Sequence, residues 1–122
     1  MRFLSLIRID EKTGQKPSQR LLDELGKLME AMSREGKLVT TAGLRPTKEG
    51  ARMRSRHGKL STTEGPFVEA KEVIGGYMML EAGSMKEALE LTERFLKAHG
   101  DEFDMECEVR PLDGPAFDGR PG

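Results

Sequence analysis

The chain has 122 residues, 36% of them hydrophobic and 34% charged, so it can form one compact domain but not comfortably two. Its formal net charge is −1 without long runs of either sign, so we expect neither nucleic-acid binding nor membrane binding. The single cysteine, Cys107, excludes an internal disulfide and a cysteine-based metal cluster, and Arg8 and Asp10 come too early for a signal peptide or a membrane span. We therefore expect a cytoplasmic protein. We also expect a homodimer, because a small core with few aromatic residues gains burial from a second copy.

The first part of the chain is predicted to form a strand, a helix and a second strand. Residues 2–9 carry apolar side chains on both sides, which is typical of a central strand covered on both faces or by a partner. Ser18 is the expected N-cap of a helix over residues 19–35, in which leucines and methionines recur at intervals of three and four residues. Gly36 should end this helix, and residues 37–43 supply the second strand.

A β-hairpin is predicted at about residues 50–63. Arg52, Arg54 and Arg56 alternate with small or apolar residues, so a period of two places three guanidinium groups on one side of a strand. His57-Gly58 supplies a two-residue turn before the return strand.

The chain must turn a corner directly after the hairpin. Pro66 has a fixed φ and keeps Gly65 out of helical conformations, and Phe67 is the large apolar residue that can anchor the corner. Glu69 and Glu72 would share a face if the connection that follows were a helical turn.

The second part of the chain is predicted to form a strand, a helix and a last strand. Gly75 and Gly76 open the first of these strands and suggest a bulge or the close approach of a ligand. Ser84 is the expected N-cap of a helix that ends near Gly100, and residues 105–112 form the last strand. Residues 113–122 are rich in glycine and proline and form either a loosely ordered tail or an arm that crosses onto a partner.

The element order predicts the fold class. Strand, helix and strand, then a hairpin, then strand, helix and strand give an α+β, ferredoxin-like split βαβ fold with an inserted β-hairpin over residues 1–112. The run from Thr63 to Ala82 also resembles the signature of the DGPF branch of the YCII-related proteins. Glu64 stands where that pattern has aspartate; the matching residues are Gly65, Pro66, Phe67, Glu69, Lys71, Glu72, Gly75 and Gly76. The resemblance implies a dimeric α+β barrel, in which the open sheet faces of two copies meet.

The resemblance also bears on catalysis. Many YCII-related proteins pair a histidine near the start of the first helix with an aspartate after the second, an arrangement suited to a general base and its orienting partner. Asp101 is placed like that aspartate, but the first helix has no histidine. His57 is interpreted as a solvated turn residue and His99 as a charge that suits the end of a helix. Neither has a ligand-spaced partner, so we expect no metal and no cofactor.

The candidate binding residues surround the hairpin and the corner: Arg54, Arg56, Glu64, Phe67, Lys71, Glu72 and Tyr77. We expect them to bind a small polar or anionic organic molecule in a cleft between hairpin and sheet, unless the acids and arginines merely pair with one another. One alternative is a lyase- or isomerase-type enzyme with Glu64 or Glu69 as base and Arg54 as an electrostatic clamp. Another, implied only by the resemblance, is a regulatory interaction module linked to sigma-factor transcription systems.

Overall fold

A computed structural model describes residues 1–114, so most of the predicted tail lies outside the described residues. The strands are β1 (Arg2–Ile9), β2 (Leu38–Gly43), β3 (Ala51–Arg56), β4 (Lys59–Glu64), β5 (Val73–Glu81) and β6 (Glu106–Pro111). The helices are α1 (Gln19–Arg34) and α2 (Met85–His99), with short 3-10 turns at Glu11–Thr13 and Thr47–Glu49. Among the described residues, no helix is long and apolar enough to cross a membrane.

The main sheet has four antiparallel strands in the order β2-β5-β1-β6. This order, with one helix after β1 and one after β5, gives an α+β fold consistent with the predicted ferredoxin-like arrangement. Strands β3 and β4 form a separate two-stranded sheet.

The core lies between the main sheet and the helices. Phe3, Met78 and Leu80 from the sheet pack against Met32 of α1 and Phe95 of α2. Both helices begin at the predicted serine caps: the Ser18 hydroxyl accepts from the Leu21 N–H, and the Ser84 hydroxyl accepts from the Glu87 N–H. These caps satisfy backbone donors that the first helical turn leaves free, and they fix where each helix starts.

Within residues 1–114, no helix covers the other face of the main sheet. Leu4 pairs across the ladder with Met79, and Leu6 pairs with Tyr77. All four side chains are only partly buried, whereas their sequence neighbours Phe3, Met78 and Leu80 are buried beneath the helices. Strand alternation thus divides β1 and β5 into one closed face and one open face.

The β3–β4 hairpin is exposed along its whole length. All six residues of each strand are exposed, and Met53 and Leu60 retain 72% and 71% of their accessible surface. The predicted turn is confirmed, with φ of 51° at His57 and 78° at Gly58. Positive φ at both central residues matches the twist of the flanking strands and closes a two-residue hairpin.

Strand β5 begins at Val73, two residues before the predicted start. The register shifts where Ile7 pairs with Gly76 and Arg8 pairs with Ile74, which leaves Gly75 as the extra residue of a bulge. A Cβ at Gly75 would come within 2.5 Å of the Ile9 side chain. The bulge interpretation of this glycine pair is therefore confirmed.

Candidate functional site

The corner after β4 packs against a 3-10 turn that precedes the hairpin. The Gly65 N–H donates to the Gly50 carbonyl at 2.9 Å, and the Phe67 N–H donates to the Thr47 hydroxyl at 3.2 Å. These two hydrogen bonds join the ends of the hairpin and hold Phe67 beside the first residues of β3. The peptide bond between Gly65 and Pro66 is cis.

Glu11 fixes the same turn from the end of β1. Its carboxylate accepts from the Thr47 N–H at 3.0 Å and from the Thr47 hydroxyl. These hydrogen bonds hold the pKa of Glu11 below its ordinary value, because they stabilise the ionised carboxylate. Lys12 adds a further contact by donating to the Val68 carbonyl at 2.7 Å.

A cleft of about 550 Å³ lies between this corner, the base of the hairpin and the ends of β1 and β5. Its polar lining includes three arginines, Arg8, Arg45 and Arg52, and Phe67 supplies an aromatic wall. Glu49 and Glu72 also line it. The cleft therefore offers several cationic donors beside one aromatic ring, which suits a small anionic or polar molecule.

Arg52 is the most firmly held of the three arginines. Its guanidinium lies 3.7 Å from the centroid of the Phe67 ring and donates to Glu69 at 2.6 Å. The Glu69 backbone N–H and the Arg52 guanidinium hold the pKa of Glu69 below its ordinary value. A carboxylate stabilised in this way is a weaker base, which counts against Glu69 as a general base near neutral pH.

Within residues 1–114, the other two arginines pair with carboxylates alone. Arg45 contacts Glu49 through two nitrogens, Nε at 3.2 Å and a terminal nitrogen at 3.0 Å, and its side chain is 82% exposed. Arg8 lies 3.5 Å from Glu108 and 4.0 Å from Glu72, and its side chain is 40% exposed. Within residues 1–114 the Arg8 guanidinium donates no hydrogen bond, so its donors can be taken up by another acceptor.

The structure brings together only part of the predicted binding set. Phe67 and Glu72 line the cleft, as expected. Arg54 and Arg56 lie farther out on the hairpin, Glu64 and Lys71 are exposed outside the cleft lining, and Tyr77 lies on the open face opposite Leu6. Binding of a ligand by these five residues stays a prediction.

Sequence reasoning did not assign Arg8, Arg45 or Arg52 to the site. A signal existed for two of them: Arg8 is the charge that interrupts the apolar strand 3–9, and Arg52 begins the arginine alternation and lies nearest to the corner. Arg45 has no such signal, because a loop arginine before a proline is common on any surface.

The segment after α2 contacts the start of α1 through Glu102. The Glu102 carboxylate accepts from the Ser18 N–H at 2.7 Å and from the Ser18 hydroxyl at 2.6 Å. These bonds hold the pKa of Glu102 below its ordinary value. Asp101 is exposed in the turn. A serine and a glutamate thus meet where the resemblance implies a histidine and an aspartate.

His99 is more enclosed than its interpretation as a helix-end charge implied. The residue is 5% exposed, and its ring lies edge-on to Phe95 and Phe103, with centroid distances of 4.6 and 6.4 Å. Its Nδ1 lies 2.8 Å from the Phe95 carbonyl, to which it donates. The residue packs within the α2 end of the core and lies away from the cleft.

The fold and the geometry define a class of protein: a small α+β domain with helices on one face of its sheet and an arginine-lined cleft at the end of that sheet. The YCII-related domain profile matches residues 1–100, and the chain belongs to this family. It is also 30% identical over 99 residues to an uncharacterized protein of Rhizobium meliloti (strain 1021), across 81% of this chain and 78% of that protein.

Proposed function

We propose that this chain is a cytoplasmic, homodimeric member of the DGPF branch that binds a small polar or anionic organic molecule in the cleft beside Phe67. The observation that carries the proposal is that the Arg8 guanidinium donates no hydrogen bond within residues 1–114. Its guanidinium lines the cleft, it is 40% exposed, and its acidic neighbours lie at 3.5 and 4.0 Å. A ligand carboxylate or phosphate could accept two parallel hydrogen bonds from it, which is the geometry that arginine favours.

The acids near the cleft do not prevent such binding. Exposed ion pairs like Arg45 with Glu49 contribute only about 0 to 1 kcal/mol, so an incoming anion can replace them at small cost. Arg52 plays a different part, since its contact with Phe67 fixes the wall of the cleft. We assign anion binding to Arg8 and Arg45, and shape to Arg52 and Phe67.

Dimerisation through the open sheet face is supported by its composition. Leu4, Leu6, Tyr77 and Met79 form an apolar centre on that face that no helix of the described chain covers. A second copy would remove these side chains from water at about 25 cal/mol per Å². The expected mass in light scattering is twice the 13.6 kDa of one chain.

The enzymatic alternative has less support. It needs a carboxylate of raised basicity next to a substrate, whereas the pKa of Glu69 is lowered and Glu64 does not line the cleft. The regulatory-module alternative has no specific contact in its favour.

A thermal-shift screen of small carboxylates and phosphate esters tests ligand binding. We expect at least one compound to stabilise the protein, with a gain of about 2.7 kcal/mol when its concentration is 100 times the Kd. Arg8→Gln should abolish that shift, and Arg34→Gln, an exposed change on α1, should leave it intact. A shift that survives Arg8→Gln at full size would refute the assignment.

A further inference from the structure

Two segments of the chain carry opposite charge excesses of equal size. Residues 45–59 contain six basic residues and one acid, a net charge of +5 when His57 is neutral. Residues 101–113 contain six acids and one basic residue, a net charge of −5. The overall charge of −1 hides this separation.

The positive charges concentrate on one side of the hairpin, which we call the basic hairpin face and define by Arg54, Arg56 and Lys59. Register places Arg56 directly opposite Lys59 and Arg54 opposite Ser61. Like charges directly opposite each other destabilise a two-stranded ladder. All three residues are exposed, and none forms an ion pair within residues 1–114.

The negative charges lie along residues 101–113, which we call the acidic segment. This segment leads into β6, an edge strand of the main sheet. Asp104 and Glu106 are exposed and form no ion pair among the described residues, and Glu108 lies on the same side of β6 as Glu106. Glu106 and Glu108 are two residues apart, as are Arg54 and Arg56, so both rows repeat at roughly 6.7 Å.

Within residues 1–114, no ion pair joins residues 45–59 to residues 101–113. An isolated two-stranded hairpin is marginally stable in water, and this one exposes every strand residue, Met53 and Leu60 included. The hairpin therefore presents a basic face that has no counter-charge among residues 1–114 of its own subunit.

We propose that the basic hairpin face of one copy lies on the acidic segment of a second copy, and that the same contact recurs in the other direction. This rests on the homodimer proposed above and deepens it. The open sheet face and β6 are continuous, because Glu108 and Arg110 pair across the ladder with Leu6 and Leu4. A partner that covers the open face thus lies beside the acidic segment, and a two-fold axis makes the contact reciprocal. Arg54 and Arg56 then hold the dimer together.

Paired charge reversals test this contact. One variant reverses the charge of the basic hairpin face through Arg54→Glu with Arg56→Glu. The other reverses charges of the acidic segment through Asp104→Lys with Glu106→Lys. The dimer dissociation constant of each, measured by sedimentation equilibrium in 50 mM salt, should rise at least tenfold, because both contacts of each homodimer become repulsive. A control with the same change in charge as the hairpin variant, Lys27→Glu with Arg34→Glu on exposed α1 positions, should leave the constant unchanged within about threefold.

Mixing the two reversed variants gives the decisive result. In a mixed dimer, the reversed hairpin of one copy meets the reversed segment of the other, and the unchanged hairpin meets the unchanged segment, so both contacts join opposite charges. An equimolar mixture should therefore form heterodimers about as tight as the wild-type dimer. A general loss of folding would not be repaired by mixing. A monomeric wild type would overturn the homodimer and this contact together. A dimeric wild type whose reversed variants dimerise normally, or weakened variants that mixing does not restore, would overturn the contact alone.

Discussion

Replacing Gly65 by alanine should separate the corner from the turn that supports it. A Cβ at Gly65 would lie 1.6 Å from the Thr47 carbonyl oxygen and 2.5 Å from its carbonyl carbon. Both atoms belong to the backbone, so no side-chain rotation relieves the overlap, and the 3-10 turn must move away from the corner.

The cost follows from the contacts that this movement breaks. The Gly65 N–H loses the Gly50 carbonyl, the Phe67 N–H loses the Thr47 hydroxyl, and the Glu11 carboxylate loses both the N–H and the hydroxyl of Thr47. At about 1 kcal/mol for each of four hydrogen bonds, the expected loss in the free energy of unfolding is about 4 kcal/mol. For a domain of this length, that lowers the Tm by about 16 °C.

Gly50→Ala is the matched control, since its Cβ would lie 3.5 Å from the same Thr47 oxygen at an extended φ of −112°. Alanine fits there, and we expect a change below about 0.5 kcal/mol or a small gain. Urea unfolding followed by circular dichroism gives both stabilities, and amide hydrogen exchange at residues 65 and 67 reports the corner directly. The reasoning fails if Gly65→Ala matches the control in stability and keeps both amides protected.

Two further predictions concern the core and the start of α1. Met32→Ala should lower the free energy of unfolding by about 2 to 5 kcal/mol, because the Met32 side chain is fully buried. Met53 is 72% exposed, so Met53→Ala should change the free energy of unfolding of the monomer by less than about 0.5 kcal/mol. Urea unfolding of dilute protein compares the two variants, and equal losses would contradict the burial argument. Glu102→Gln should lower the Tm at pH 7, since Glu102 accepts two hydrogen bonds from Ser18. The pKa of Glu102 in the folded protein lies below its ordinary value of 4.5, so its contribution to stability is complete above pH 4.5 and is lost as the pH falls through the folded pKa. The Tm difference between wild type and Glu102→Gln should therefore shrink in acid. A constant difference down to pH 3 would be evidence against this role.

The elements could be predicted because their causes are local. Ser18 and Ser84 cap helices through bonds to residues three positions away, and the His57-Gly58 turn needs only two residues that tolerate positive φ. The alternation in β5 likewise separates Met78 and Leu80 from Tyr77 and Met79 without knowledge of the partner strands.

The cleft could be predicted only in part, because its residues come from distant positions. Periodicity places Arg52 and Arg54 on the same side of β3 but does not show that only Arg52 lies near enough to the corner to stack on Phe67. The contact between Glu11 and Thr47 joins residues 36 positions apart. Asp101 and Glu102 differ by one position, and the turn after α2 decides which of them reaches Ser18.

The hairpin links the two proposals, because we assign different partners to its base and its outer part. At the base, Arg52 joins the wall of the cleft through Phe67. Farther out, Arg54 and Arg56 are the residues that we propose to contact a second copy. A ligand that bridges Arg8 to this wall would restrict the angle at which the hairpin leaves the sheet. Since coupling between binding equilibria is reciprocal, a ligand that tightens the dimer by a given factor must bind the dimer more tightly than the monomer, by an amount that the same factor fixes. Measuring the dimer constant with and without the ligand would therefore show whether the corner transmits binding at the cleft to the outer part of the hairpin.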